Sequence, residues 1–405
     1  MDVLVFYPAI FQKGGGDRLI LELAREFDAP IYTAFYDKTS AFSEFSELDV
    51  RVLKRPLFEK PFFFLRKDIN AYTSAVAGME FLTHKVKDDY DVINAHAKPG
   101  NWIRNRNERV CWYFYSPVRS AFDLYSQKVA SLPFHKRMLT RSMHSWYMFW
   151  ERRIDPKIEK TVSVSPYVNV RDKAFLDEYV GKPVEPIPPG VHADEFRNEG
   201  YDKYFFYPSR VVPEKRFEYA IEAFRKFSAK MKNANPSSRN SRPETGNWKL
   251  ILAGHVPNRE REHKYFEGLM EMAKGLDVEF RTDLPEEELK SLYARCYAVL
   301  FCPIKEDWGL VPLEAMSSEK PCISVDEGGP KYTILEGKTG FLVDSTEKMA
   351  QRMLELAADP DLNEKMGREG RKHVLKNFTW EMFFKKMRAA FQEVAKAKEG
   401  ASDGF

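Results

Sequence analysis

The segment 306–343 constrains the chain most. It reads E-D-W-G-L-V-P-L-E-A-M-S-S-E-K-P-C-I-S-V-D-E-G-G-P-K-Y-T-I-L-E-G-K-T-G-F-L-V. An apolar run, 298–303, precedes it. Two carboxylates, Glu306 and Glu314, follow with seven residues between them, and Gly309 marks a turn ahead of a helix starting near Pro312. A strand over 321–325 then runs into Gly328-Gly329. Strand, loop with a carboxylate, helix, strand, glycine pair: this order belongs to an α/β sheet that binds its ligand at the carboxyl ends of parallel strands.

The rest of the chain repeats that grammar. In the first half, strands are expected at 3–7, 30–34, 50–53, 92–95, 110–115 and 161–164, with helical material between most of them. Leu19, Ile20, Leu23, Ala24 and Phe27 give the first helix one apolar face. In the second half, strands are expected at 204–208, 248–253, 278–281, 298–303, 321–325 and 341–343. Such alternation predicts parallel sheets wrapped by helices. With 405 residues there is room for two domains. The Pro-rich stretch 186–190 and the polar stretch 194–202 place the boundary near residue 200. The 233–247 segment, low in apolar residues, reads as a surface loop. Apolar spacing over 380–398 predicts a last helix.

If the strands of the second half are parallel, the residues just after them share one edge. These are Ser209-Arg210 with Lys215, then Gly254-His255, Thr282-Asp283, Glu306, and Asp326 with Gly328-Gly329. Cations, carboxylates and bare backbone turns would converge on one crevice. Arg210 and Lys215 suit a leaving group that gathers negative charge on phosphate oxygens.

The E-x7-E pair with its A-M, P-C-I and G-G elements resembles the signature of retaining nucleotide-sugar glycosyltransferases of family four. That resemblance implies the GT-B fold: two Rossmann-like domains facing a cleft, with a C-terminal helix crossing back to the first. It implies an acceptor domain over 1–200 joined by 381–405, and a donor domain over 201–380. It gives Glu306 the hydroxyls of the transferred sugar, with the backbone of Asp307, Trp308, Gly309 and Leu310 beside it. Arg210 and Lys215 take the diphosphate and Glu314 the nucleotide ribose. In the first half, the Gly14-Gly15-Gly16 loop resembles the family's N-terminal glycine loop, and a tight turn alone would explain it equally. His96 resembles a family histidine that reaches the donor sugar. The segment Y-F-Y-S-P-V-R, ending at Arg119 and followed by Asp123, is similar to a mannosyltransferase-rich subgroup. It makes Arg119 and Asp123 the expected acceptor contacts. Departures are Trp308 where Phe is usual, Ser318-Glu319 before Lys320, Tyr332 after the glycine pair, and Tyr115 in place of a histidine.

The function so implied is transfer of a hexose to a hydroxyl of a glycan or lipid-linked sugar, with mannose from GDP-mannose as the expected donor. A UDP-sugar (glucosyl or N-acetylglucosaminyl) transferase is the alternative. A non-catalytic sugar-nucleotide-binding protein and an epimerase of similar fold stand beside it. No cofactor and no metal is expected: the two D-x-D matches, 89–91 and 359–361, fall at the wrong end of a strand and in a helical turn. A net charge of +3 argues against a nucleic-acid partner. The four cysteines lack C-x-x-C spacing and read as core residues in a reducing compartment. No leader or membrane-spanning run is read, so the expected location is cytoplasmic. Two basic and aromatic segments, 54–67 and 133–157, are composed like membrane-surface helices. The second holds six Lys/Arg and two acids, a local net charge of +4.

Overall fold

Residues 1–11, 13–53, 69–118, 121–122, 125–130, 132–233 and 247–396 are described in the computed structural model of the chain. Their backbone resolves into two units, Met1–Pro188 with Phe383–Phe405, and Pro189–Met382. Among the described residues, no helix is long and apolar enough to cross a membrane.

The first unit holds β1 (Val3–Phe6), β2 (Ala9–Ile10), β3 (Ile31–Thr33), β4 (Phe35–Tyr36), β5 (Val50–Val52), β6 (Val92–His96), β7 (Val110–Phe114), β8 (Lys160–Ser163) and β9 (Glu185–Pro186). Seven of these make one sheet in the order β5-β3-β1-β6-β7-β8-β9, and β2 with β4 makes a small parallel pair. Every pairing in the large sheet is parallel. Strands covered on both faces must be apolar throughout, and β1, β6 and β7 are buried at every position. Pro186 cannot donate to a ladder and is tolerated in β9 because β9 is an edge strand. The predicted face of the helix Gly15–Phe27 is the buried one: Leu19, Ile20, Leu23 and Ala24 lie inward. The two-residue strands β2, β4 and β9 are too short to leave a period in the sequence.

The second unit contains β10 (Tyr204–Pro208), β11 (Lys249–Ala253), β12 (Val278–Arg281), β13 (Ala298–Phe301), β14 (Cys322–Val325) and β15 (Gly340–Val343). They form one parallel sheet in the order β12-β11-β10-β13-β14-β15. The order reverses between β10 and β13, and a crevice opens at such a switch point beyond the carboxyl ends of the two strands. Aromatic packing fills the interior: Phe205 stacks on Trp248 at 5.1 Å between centroids, and Tyr297 meets Trp248 edge-on at 4.8 Å.

The chain divides after Pro188, ahead of the boundary read from composition at residue 200. The intervening residues are anchored in the second unit. Val191 bridges Thr379, and a Cβ at Gly190 would lie 2.3 Å from the Thr379 carbonyl carbon. Asn198 accepts a hydrogen bond from Lys320 at 2.6 Å, and the Tyr201 hydroxyl donates to Glu319 O at 3.2 Å. Polar composition here marks hydrogen bonding within a folded body, not a linker. The helix Trp380–Lys396 starts in the second unit and belongs to the first from Phe383 onward. There Phe391 meets Phe27 edge-on at 5.1 Å, and Arg388 and Glu393 pair with Glu26 and Lys160 at 2.6 Å each.

Candidate active site

The loops leaving β10 and β13 bring Lys215 and Glu306 together. The Lys215 ammonium donates directly to Glu306 Oε2, and both side chains are largely shielded from solvent. Three features fix this geometry. The Tyr207 hydroxyl, at the end of β10, donates to Lys215 O and accepts from the Cys302 amide at 3.4 Å. Arg216 stands in left-handed backbone at φ 49°. Its guanidinium donates to Cys302 O at 2.7 Å, to Pro303 O at 3.0 Å and to the Glu327 carboxylate at 3.1 Å. The third is the glycine pair. The Gly329 amide donates to Glu306 O at 2.8 Å, and a Cβ at Gly328 (φ 70°) would lie 2.4 Å from that same oxygen. Only glycine lets the loop after β14 press this closely against the backbone of Glu306.

Glu314 stands one helical step further on, in the first turn of the short helix Val311–Ser317. One of its oxygens accepts from the Tyr293 hydroxyl at 2.5 Å. Burial pushes the Tyr293 phenol well above its ordinary pKa, so it remains a donor at any physiological pH. Arg210 is exposed at the end of β10. His255 and Asp283, after β11 and β12, pair at 2.5 Å. Of the loop 307–310, Asp307, Gly309 and Leu310 are partly exposed. Trp308 is buried, its indole N–H bonded to Pro189 O at 3.1 Å and its ring edge-on to Phe378 at 5.5 Å. The Trp308 side chain is therefore committed to packing, and only its backbone is left for the donor role read from the sequence. Arg216, Glu327, Tyr207 and Tyr293 escaped the sequence reading. Their partners are close in space but, for Arg216 and Glu327, 111 residues apart in the chain.

The remaining candidates belong to the first unit. Gly14 is the extended residue ahead of the helix Gly15–Phe27, whose first turn Gly15 and Gly16 form with buried Asp17. His96 ends β6 and is fully buried. Its ring stacks on Tyr113 at 5.1 Å, Nε2 lies 2.6 Å from Asn94 Oδ1, and Nδ1 lies 3.2 Å from the Tyr115 hydroxyl. Asn94 Nδ2 donates to Cys111 O at 3.1 Å. That bond turns Oδ1 toward His96, so Nε2 carries the proton and Nδ1 accepts from Tyr115. Burial pulls the His96 pKa down to about 3. The imidazole is neutral, with both ring nitrogens engaged by neighbouring side chains. Tyr115 replaces the expected histidine and is the group that orients it. Arg119 and Asp123 lie outside the described residues, as does the segment 54–67.

This arrangement is that of a glycosyltransferase with the GT-B fold. Residues 192–373 match the family model of "Glycosyl transferases group 1". Among its relatives is the human protein named Alpha-1,3/1,6-mannosyltransferase ALG2, 26% identical across 94% of this chain and 93% of that protein. The protein of the same name from Dictyostelium discoideum is 30% identical over 187 residues, which is 45% of this chain and 43% of the relative. Among solved structures, sucrose-phosphate synthase from Thermosynechococcus elongatus has the same fold. It superposes with a TM-score of 0.66 at 20% identity, covering 98% of this chain and 100% of that one.

Proposed function

We propose that this glycosyltransferase moves mannose from GDP-mannose onto a hydroxyl of a glycan or lipid-linked sugar, with retention at the anomeric carbon, at the cytoplasmic face of a membrane. The observation that carries the reading is the Lys215–Glu306 pair at the β10/β13 switch point, with Glu314 held by Tyr293 beyond it. In the reaction the bond from the sugar to the diphosphate oxygen breaks and a bond to the acceptor oxygen forms. The acceptor proton leaves with the departing diphosphate. Negative charge grows on phosphate, and Lys215, held in place before the donor arrives, answers it together with the exposed Arg210. Glu306 accepts from sugar hydroxyls and Glu314 from the ribose. Mannose rather than another hexose is supported by the name of a relative that aligns along 94% of the chain.

A thermal-shift panel of GDP, UDP, ADP, GDP-mannose and UDP-glucose tests the donor. Stabilisation by guanine nucleotides, lost in Arg210→Ala, is the expected result. Selective stabilisation by uridine nucleotides would replace GDP-mannose with a UDP-sugar. Glu306→Ala should abolish transfer while leaving the protein folded, and near-wild-type turnover in it would overturn the site.

A further inference from the structure

The helix Phe134–Ile154 holds five of the thirteen exposed large apolar side chains found among the described residues: Phe134, Met138, Leu139, Trp146 and Phe149. Phe134 is 76% exposed and Phe149 56%. Phe134, Met138, Phe149 and Arg152 follow one another at spacings of four, eleven and three residues, which keeps them on one side of a 3.6-residue helix. Apolar side chains gathered on one face of a folded protein mark a contact surface.

The charge of that face differs from what composition implies. The stretch 133–157 contains two acids, Glu151 and Asp155, and both side chains are fully buried. Both are turned inward to the Lys98 ammonium. Glu151 also accepts from the Trp102 indole at 2.6 Å, and Asp155 from Asn101 at 2.5 Å. With its acids drawn into the interior, the exposed charged side chains of this stretch are cations alone: Lys136, Arg141, Arg152, Arg153 and Lys157. One carboxylate from elsewhere, Glu178, reaches it, at 3.1 Å from Arg152. Between Phe149 and the last three of these cations lies a groove of roughly 540 Å³, lined by Ser145, Phe149, Arg152, Arg153, Pro156 and Lys157.

We propose that this helix face docks on an anionic lipid surface, with the aromatic and Met side chains entering the headgroup boundary and the Arg152–Arg153–Lys157 end holding lipid phosphate. Aromatic residues prefer the membrane–water boundary, and apolar residues flanked by cations without acids are the make-up of an interfacial helix. A protein partner would have to supply acids to match five cations; an anionic bilayer presents them everywhere. The proposal deepens the membrane part of the reading above and does not involve the donor site, so either can fail alone.

The test is co-sedimentation of the full chain with vesicles of phosphatidylcholine alone and of phosphatidylcholine mixed with phosphatidylglycerol. Binding is expected to the mixed vesicles and to fall as salt rises. Each cation near such a surface is worth about fivefold in partitioning, so Arg152→Gln with Arg153→Gln should lose about thirtyfold. Phe134→Ser with Phe149→Ser should also lose binding. These side chains are exposed, so unchanged melting will show that both variants are folded. Leu375→Ser, an exposed apolar residue of the second unit, should bind as wild type does. The proposal falls if the mixed vesicles do not bind at low salt, or if both helix variants bind as Leu375→Ser does. It also falls if Phe134→Ser with Phe149→Ser changes the association state in sedimentation velocity without changing vesicle binding, which would make the face a protein interface.

Discussion

Lys320 shows what a single buried cation does to the second unit. Its side chain is fully buried. The ammonium donates to Asn198 Oδ1 at 2.6 Å and to Gly200 O, and lies 3.8 Å from the centre of the Tyr201 ring. Those contacts do not replace hydration fully, and burial pulls its pKa down to about 8. The sign of the pH effect follows. Below pH 8 the lysine is charged both folded and unfolded, and the burial penalty is constant. Between about pH 8 and the ordinary lysine value the unfolded chain binds more protons, so the contribution of Lys320 to stability rises with pH. Against Lys320→Met, which cannot titrate, wild type should therefore gain roughly 3 kcal/mol from pH 8 upward. Denaturant melts of both proteins at several pH values would measure the difference, in which all other titrating groups cancel. A difference that stays flat with pH would refute the assignment.

Among elements, the loop carrying Glu306 is the one most built from its surroundings. It is clamped by Arg216 from the β10 side and by Gly328-Gly329 from the β14 side. Arg216→Ala removes three acceptors' worth of hydrogen bonding and leaves Cys302 O and Pro303 O to find water. The Glu327 carboxylate loses its guanidinium partner as well. The ion pair is partly exposed, so its share of stability is small, about 1 kcal/mol or less. The effect on turnover should be larger, on the order of a hundredfold, because misplacing a group by about an ångström costs that much. Steady-state kinetics would show it as a fall in kcat with the melting temperature nearly unchanged; a change confined to KM would mean that the clamp serves donor binding only. This clamp also shows where sequence reading stops. The six βα units, the E-x7-E pair and the edge positions of Lys215 and Glu306 were legible because each is a local pattern: period, spacing, turn chemistry. Arg216 reads as one more cation in a charged loop, and Gly328-Gly329 as a turn. What gives them roles is contact with residues far along the chain, which no local pattern encodes. The helix Phe134–Ile154 taught the same lesson, since its composition could not say that Glu151 and Asp155 face inward.

For the whole molecule, each unit closes a core on its own parallel sheet, and the four cysteines report on the two cores separately. Cys111 lies in β7 of the first unit; Cys296, Cys302 and Cys322 lie around β13 and β14 of the second. Burial pushes the Cys111 and Cys296 thiols up to about 12, and those of Cys302 and Cys322 are likewise raised. Reaction with an alkylating agent needs thiolate and access, so at neutral pH each thiol should react only when its own unit opens. The groups proposed to bind the donor, Arg210, Lys215 and Glu314, all belong to the second unit. A nucleotide that binds there at about a hundred times its Kd stabilises what it binds by about 2.7 kcal/mol. For a body of that size this raises the melting midpoint by about 5 to 10 °C. On heating with GDP, alkylation of Cys296, Cys302 and Cys322, read by peptide mass spectrometry, should therefore move to higher temperature while that of Cys111 stays where it was. If all four move together, the chain melts as one cooperative body and donor binding in one unit is felt throughout the other. If Cys111 alone moves, the nucleotide binds the first unit, and the glycine loop 14–16 rather than Lys215 becomes the place to look for the diphosphate.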